Sequence, residues 1–277
     1  MPVGAKVATP IESDRVRERV ELKSADEIAR IHEASLIVHD VLQEVIAAVG
    51  PGMSTLEIDR IAARATAARG AQPAFKGYHG YPAVICVSVN DEVVHGIPSA
   101  KRVLKQGDIV GLDFGVSYGG FYGDSAYTVA VGEPSPEARL LLETTREALA
   151  RAIAAARPEA RLGDLGFAVQ AFVEPRGYSV VRDFVGHGIG RRLHEAPQIP
   201  NFGAPGTGMR LKPGMVLAIE PMVNAGKPDV RTLEDGWTAV TEDGSLSAHF
   251  EHTIAVTEGE PEILTLPRAC ARAGARD

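Results

Sequence analysis

Four carboxylates and one imidazole stand in short apolar, glycine-broken runs where a strand would not ask for them, and few folds can accommodate that. They are Asp113 in Val110-Gly-Leu-Asp-Phe-Gly115, Asp124 in Tyr122-Gly-Asp-Ser125, His187 in Val185-Gly-His-Gly188, Glu220 in Ala218-Ile-Glu-Pro-Met222 and Glu251 in His249-Phe-Glu-His-Thr253. A buried carboxylate is unfavourable unless it is paired or held by a cation. One such residue reads as a turn or ion-pair residue, but five in apolar contexts point to a shared cation site. They make a hard, oxygen-rich donor set that suits two divalent ions of the Co, Mn, Fe or Zn kind without choosing among them.

Local pattern brings two of the acids together. Residues 109–131 read as two strands joined by the two-residue turn Gly119-Gly120. That turn places Asp124 opposite Gly115, with Asp113 two residues along on the same face. The aspartates then become diagonal neighbours, about 7–8 Å apart at Cα, able to straddle two ions ~3.5–4 Å apart.

The surrounding pattern is mixed helix and strand. Ser24 with Glu27 and Ser54 with Glu57 make capping boxes for two helices, the first halted at Gly50-Pro51-Gly52 and the second ending near Gly70. The β-branched run 84–89 reads as a buried strand. Ser135-Pro136 starts a helix reaching about residue 156. A shorter helix is expected over 162–174 and strands over 178–185, 216–223, 237–241 and 249–257. The glycine- and proline-rich stretch 187–214 has no periodicity and reads as a long loop. Two helices then strands, followed by two helices then strands, suggests a duplicated α+β unit. Residues 1–21 read as an N-terminal arm and residues 22–277 as a single domain.

Composition removes several classes. The chain of 277 residues carries 36 acids against 29 Lys and Arg, a net charge of −7, which argues against a general DNA binder. No apolar run approaches the ~20 residues of a membrane span. Its two cysteines, Cys86 and Cys270, are far apart, which excludes a disulfide framework and suits a cytoplasmic protein. The sequence Gly186-His-Gly-Ile-Gly190 follows a strand, but Pro197, Pro200 and Pro205 come after it where a dinucleotide-binding turn needs a helix. His95 and His194, placed beside glycine and proline turns, are candidates for a cleft. His249 and His252 flank Glu251 and read as weaker candidates.

Taken together, these residues resemble the methionine aminopeptidases, specifically their short bacterial type I form. The resemblance rests on Gly77-Tyr-His-Gly-Tyr-Pro82, Asn90-Asp-Glu-Val-Val-His-Gly-Ile-Pro98, Gly107-Asp-Ile-Val-Gly-Leu-Asp113 and Gly123-Asp-Ser125. It continues through Gly186–Arg191, His194-Glu-Ala-Pro-Gln198, Leu211–Met215, Ile219–Asn224, Asp235-Gly-Trp237 and Phe250-Glu-His-Thr253. It implies the α+β pita-bread fold, a pseudo-two-fold duplicated unit whose curved antiparallel sheet is backed by helices. It implies that Asp113, Asp124, His187, Glu220 and Glu251 hold the metal ions and that His95 and His194 contact substrate. Glu220 would accept the proton of the attacking water, His194 would stabilise the oxyanion and His95 would hydrogen-bond the reacting peptide.

The same resemblance assigns Tyr78, Tyr81, Cys86 and Trp237 to the methionine pocket, while Phe75 and Leu193 depart from the family pattern. The implied activity is hydrolytic removal of N-terminal methionine ahead of a small second residue. Its implied partners are the N-termini of nascent polypeptides and, transiently, the ribosome, with no DNA or membrane partner and a monomeric state. An X-Pro peptidase of the same fold is the alternative. A non-catalytic binding protein of that fold would be expected to have lost the ligand set, which is complete here.

Overall fold

The computed structural model describes residues 19–268; most of the N-terminal arm and Cys270 lie outside the described residues. Four helices back the sheets: α1 (Ala25–Ala48), α2 (Thr55–Ala68), α3 (Pro136–Ala155) and α4 (Leu162–Val173). The strands of the first half are β1 (Gln72–Pro73), β2 (Cys86–Val89), β3 (Glu92–Val94), β4 (Ile109–Tyr118) and β5 (Phe121–Ala130). Those of the second half are β6 (Ser179–Val180), β7 (Gly186–Gly188), β8 (Glu195–Ile199), β9 (Val216–Ile219), β10 (Met222–Asn224), β11 (Val230–Thr232), β12 (Ala239–Thr241), β13 (Ser247–His249), β14 (Glu251–Ala255) and β15 (Glu262–Ile263). No helix among the described residues is long and apolar enough to cross a membrane.

Helix starts follow the expected chemistry. Ser24 and Ser54 each accept a hydrogen bond from the backbone N–H three residues on, and Glu27 and Glu57 reach back to the capping residue. Ser135 caps α3 with Pro136 as its first residue. The helices then bury one face each, making a core for each half of the chain. Val38, Leu42 and Val45 of α1 and Ile58 of α2 pack on Val87, Leu112 and Phe114. Leu141, Leu149 and Ile153 of α3 and Leu165 of α4 pack on Leu217, Ile219 and Ile254.

The β4–β5 hairpin has the register expected from its turn: Gly119 and Gly120 both take positive φ, and Gly115 lies opposite Asp124. The main sheet, nine-stranded among the described residues, runs β1-β4-β5-β14-β9-β7-β8, with β2 pairing β4 and β15 pairing β14. All its pairings are antiparallel. The halves therefore meet where β14 lies between β5 and β9.

Four expected elements differ. The run 216–223 breaks at Pro221, which has no N–H to donate, and the run 249–257 breaks at Phe250. At these points β9 and β14 leave the main sheet and continue as β10 and β13, which pair with each other in a smaller one. The stretch 187–214 is not wholly loop, because β7 and β8 lie within it. Pro197 within β8 and the shortness of β7, Gly186-His-Gly188, hide the alternation. β8 ends the sheet order, so proline is tolerated there as in other edge strands. The expected strand over 178–185 is reduced to β6.

Contact between α1 and the sheet depends on a missing side chain. A Cβ at Gly123 would lie 2.7 Å from the backbone N and Cα of Ser35 in α1. Gly123→Ala is expected to push α1 off β5 and destabilise the fold by roughly 1–3 kcal/mol, read as a lower urea midpoint with unchanged slope.

Candidate metal centre

Five neighbouring strands of the main sheet each bring one of the singled-out side chains to a single cleft. Asp113 comes from β4, Asp124 from β5, Glu251 from β14, Glu220 from the residue after β9, and His187 from β7. Register aligns them. Asp113 and Glu251 both face Ala126, one from each side, and Asp124 lies two residues from Ala126 on the same face of β5. Small residues make room: Ala126 lies between two of the carboxylates. A Cβ on Gly115 would lie 3.2 Å from Asp124 Oδ1 and 3.0 Å from the Phe75 ring.

Asp124, His187 and Glu251 offer donor atoms that all lie within 4.8 Å of one another. Glu220 Oε1 is 3.6 Å from His187 Nε2, and Asp124 Oδ2 is 3.8 Å from it. Asp113 lies beside this trio, close enough to Asp124 to raise its pKa. His187 Nδ1 is 2.9 Å from the carbonyl oxygen of Gly188. That oxygen can only accept, so Nδ1 carries the proton and Nε2 presents its lone pair to the carboxylates. Backbone positions are stitched across the seam of the two halves. Ser125 Oγ donates to the Glu251 carbonyl (2.6 Å) and Thr253 Oγ1 to the Asp124 carbonyl (2.8 Å). Asn201 Nδ2 donates to the Glu220 carbonyl at 3.0 Å, beside the strand break at Pro221.

Electrostatics mark the cleft as a site for cations. Burial pushes the carboxyl groups of Asp113 and Glu220 up to about 7, the first aided by the nearby charge of Glu220. Asp124 and Glu251 rise well above the ordinary carboxylate range through burial and mutual repulsion with the other acids. The same burial holds His187, His194 and His95 down to about 4, so all three are neutral at pH 7. Asp124 Oδ1 and Glu251 Oε1 are buried and make no hydrogen bond. Clustered acceptor oxygens and a deprotonated imidazole nitrogen fit hard or borderline divalent ions.

The two other candidate histidines border the cleft. The ring of His194 lies 4.2 Å from that of His187, and His194 Nδ1 is 2.8 Å from the Tyr78 hydroxyl. His95, at positive φ, packs edge-on against Trp237 (6.3 Å between ring centroids) and Phe184 (5.4 Å). Trp237 meets Tyr81 edge-on at 5.1 Å. Tyr81 and Cys86 share one apolar cluster with Tyr78 and Trp237. The Tyr81 hydroxyl donates to the carbonyl of Gly96 (2.9 Å), leaving its ring to line the cluster. Cys86 pairs across the sheet with Asp113, which joins the cluster to the acids.

His249 belongs with the site although sequence reading ranked it low. Its Nε2 is buried and 3.5 Å from Glu220 Oε2. The signal was its position two residues before Glu251 in an extended run, which puts both on one face. Phe184 carries no such signal, since it lies in the irregular segment between β6 and β7.

The model of metallopeptidase family M24 matches residues 29–258. The chain belongs to this family. It is 52% identical to methionine aminopeptidase 1 of Bacillus subtilis over 88% of its own length and 98% of that protein's. The crystal structure of methionine aminopeptidase from Thermotoga maritima superposes with a TM-score of 0.88 at 48% identity, covering 90% of this chain and all of that one. Prolidase from Pyrococcus furiosus matches at a TM-score of 0.73 with 25% identity, covering 89% of this chain and 65% of that one. The M24 chain is thus a metal-dependent hydrolase with the pita-bread fold.

The pKa directions predict how metal and fold are linked. Unfolded histidines, with an ordinary pKa near 6.5, lose their protons through about pH 7.5 and oppose the carboxyl slope there, adding little above it. The raised carboxyls of the folded, metal-free protein still hold protons there that the unfolded chain has lost, and release them as pH rises through about 7. Metal-free stability is therefore expected to fall above about pH 7.5, where the histidine contribution has ended and the raised carboxyls, Asp124 and Glu251 foremost, still release protons. Divalent ions compete with those protons, so the rise in Tm on adding Mn²⁺ should be larger at pH 8 than at pH 6. Equal rises at both pH values would contradict the linkage.

Proposed function

We propose that this M24 chain removes the N-terminal methionine of peptides and nascent proteins, ahead of a small second residue, by metal-dependent hydrolysis. One observation carries the reading. The cleft joins four carboxylates and an imidazole to two neutral histidines and an aromatic and sulfur-containing pocket, in a chain 52% identical to a methionine aminopeptidase.

Asp113, Asp124, His187, Glu220 and Glu251 would hold two divalent ions, of Co, Mn, Fe or Zn. Such ions, when bound, acidify a water so that it is a nucleophile at neutral pH, and polarise a carbonyl. The chain's own residues do the rest. Glu220, with its side chain 14% exposed at the cleft edge, accepts the proton of the attacking water. The Tyr78 hydroxyl can donate to His194 Nδ1, which leaves the Nε2 proton of that neutral ring for the developing oxyanion. His95, held between Trp237 and Phe184, hydrogen-bonds the reacting peptide. Tyr78, Tyr81, Cys86 and Trp237 surround the methionine side chain, whose thioether suits aromatic edges and sulfur.

Residues 22–277 act in this reading as one catalytic domain preceded by an arm, 1–21. The protein works as a cytoplasmic monomer on nascent chains, in transient contact with the ribosome. The X-Pro alternative has less support, because the prolidase likeness stops at 25% identity.

The deciding experiment is hydrolysis by the metal-reconstituted protein of Met-Gly-X peptides against X-Pro dipeptides. Cleavage of the first is expected; cleavage of X-Pro alone would overturn the reading. His194→Ala and His95→Ala are each expected to lower kcat by about 10²–10³-fold with metal content unchanged. Parallel loss of metal would contradict their assignment to substrate.

A further inference from the structure

Behind the cleft lies an ion pair that the proposed reaction does not use. Lys23, just before α1, has a side chain only 1% exposed, and its Nζ is 2.8 Å from Glu195 Oε2. Glu195 is itself 7% exposed and follows His194 directly. Its other oxygen, Oε1, accepts the backbone N–H groups of Arg191 (2.8 Å) and Arg192 (3.0 Å). One carboxylate thus closes the turn between β7 and β8 from within and ties it to a residue 172 positions away in sequence.

Lys23 is placed for this by contacts of its own. Its backbone N–H donates to the Gly214 carbonyl at 2.7 Å, fixing the segment ahead of α1. Its stem passes over Gly190, where a Cβ would lie 2.4 Å from Lys23 Cε. The more exposed Glu21 also reaches Nζ, at 2.7 Å. The Gly190 carbonyl meanwhile accepts from Tyr122 N–H at 2.8 Å, joining the turn to β5. Charged hydrogen bonds of this kind are short and directional. The turn they shape carries His194 at its end, 2.8 Å from Tyr78 and against His187.

We propose that Lys23 and Glu195 are positioning residues for His194: the buried pair sets the turn 190–195 and so the distance from the imidazole to the reacting carbonyl. The proposal rests on the aminopeptidase reading above. A displacement of about 1 Å in a catalytic group costs roughly 10²-fold in rate, so the pair acts on turnover rather than on metal or fold.

A double-mutant cycle on the metal-loaded protein tests it. Lys23→Met and Glu195→Gln are each expected to lower kcat on Met-Gly-X by about 10–100-fold, with KM and metal content little changed. In a His194→Ala background neither should lower kcat further, because the group they position is gone. Equal falls in both backgrounds, or an unchanged kcat in a folded variant, would overturn the proposal. Where Lys23→Met does not fold, Glu195→Gln carries the same cycle, since it keeps the side-chain shape and one acceptor for the turn amides. The unmodified protein's failure to cleave Met-Gly-X would sink the functional reading instead, so the two failures are distinguishable.

Discussion

Repulsion among buried carboxylates is the constraint on which the rest of this molecule depends. Asp113, Asp124, Glu220 and Glu251 converge within one cleft, and two of their oxygens have no hydrogen-bond partner. Nothing in the apolar layer beneath can offset such a cluster except protons or cations. The strand order answers the problem by taking one side chain from or just beyond each of five neighbouring strands, with Asp113 and His187 paired on both sides. Gly115 and Ala126 keep the space between the acids open, and side-chain hydrogen bonds from Ser125 and Thr253 fix the backbone of the two strands at the seam.

Much of this was legible in the sequence because it is written in short-range rules. Two glycines dictate a two-residue turn, and the turn alone dictates that Asp124 faces Gly115. The serine–glutamate pairs mark α1 and α2 because capping involves only residues three apart. What stayed hidden involves distant partners. The strand β8 has no alternation and a single β-branched residue, Ile199, and pairs along the edge that β7 offers. Pro221 marks the first break locally, but nothing local at Phe250 marks the second or records that the chain passes to another sheet. His249 reads only as a weaker candidate in the sequence because its value lies in contact with Glu220, a residue distant along the chain.

The residues around the acids form a second layer with its own logic. Neutral histidines, an imidazole turned by a backbone carbonyl, and a tyrosine hydroxyl against His194 all fix proton positions before any substrate arrives. Two aromatic edges, Trp237 and Phe184, limit the tilt of the His95 ring. Preorganisation of this kind moves the cost of ordering from the reaction to folding. The buried Lys23–Glu195 pair extends that logic from side chains to the turn that carries one of them.

The position of β14 bears on how the chain is made. It supplies the central strand of the main sheet, yet it spans residues 251–255 of 277. Until it is synthesised, β5 and β9 each face the solvent with an unpaired edge, the condition that invites one chain to join another. Asp124 lies on the first of those edges, and Glu220 directly follows the second. Inward-pointing charge is among the devices by which natural sheets discourage such pairing. Both edges that β14 closes thus carry a carboxylate on or directly beside them, the same acids that burden the finished fold.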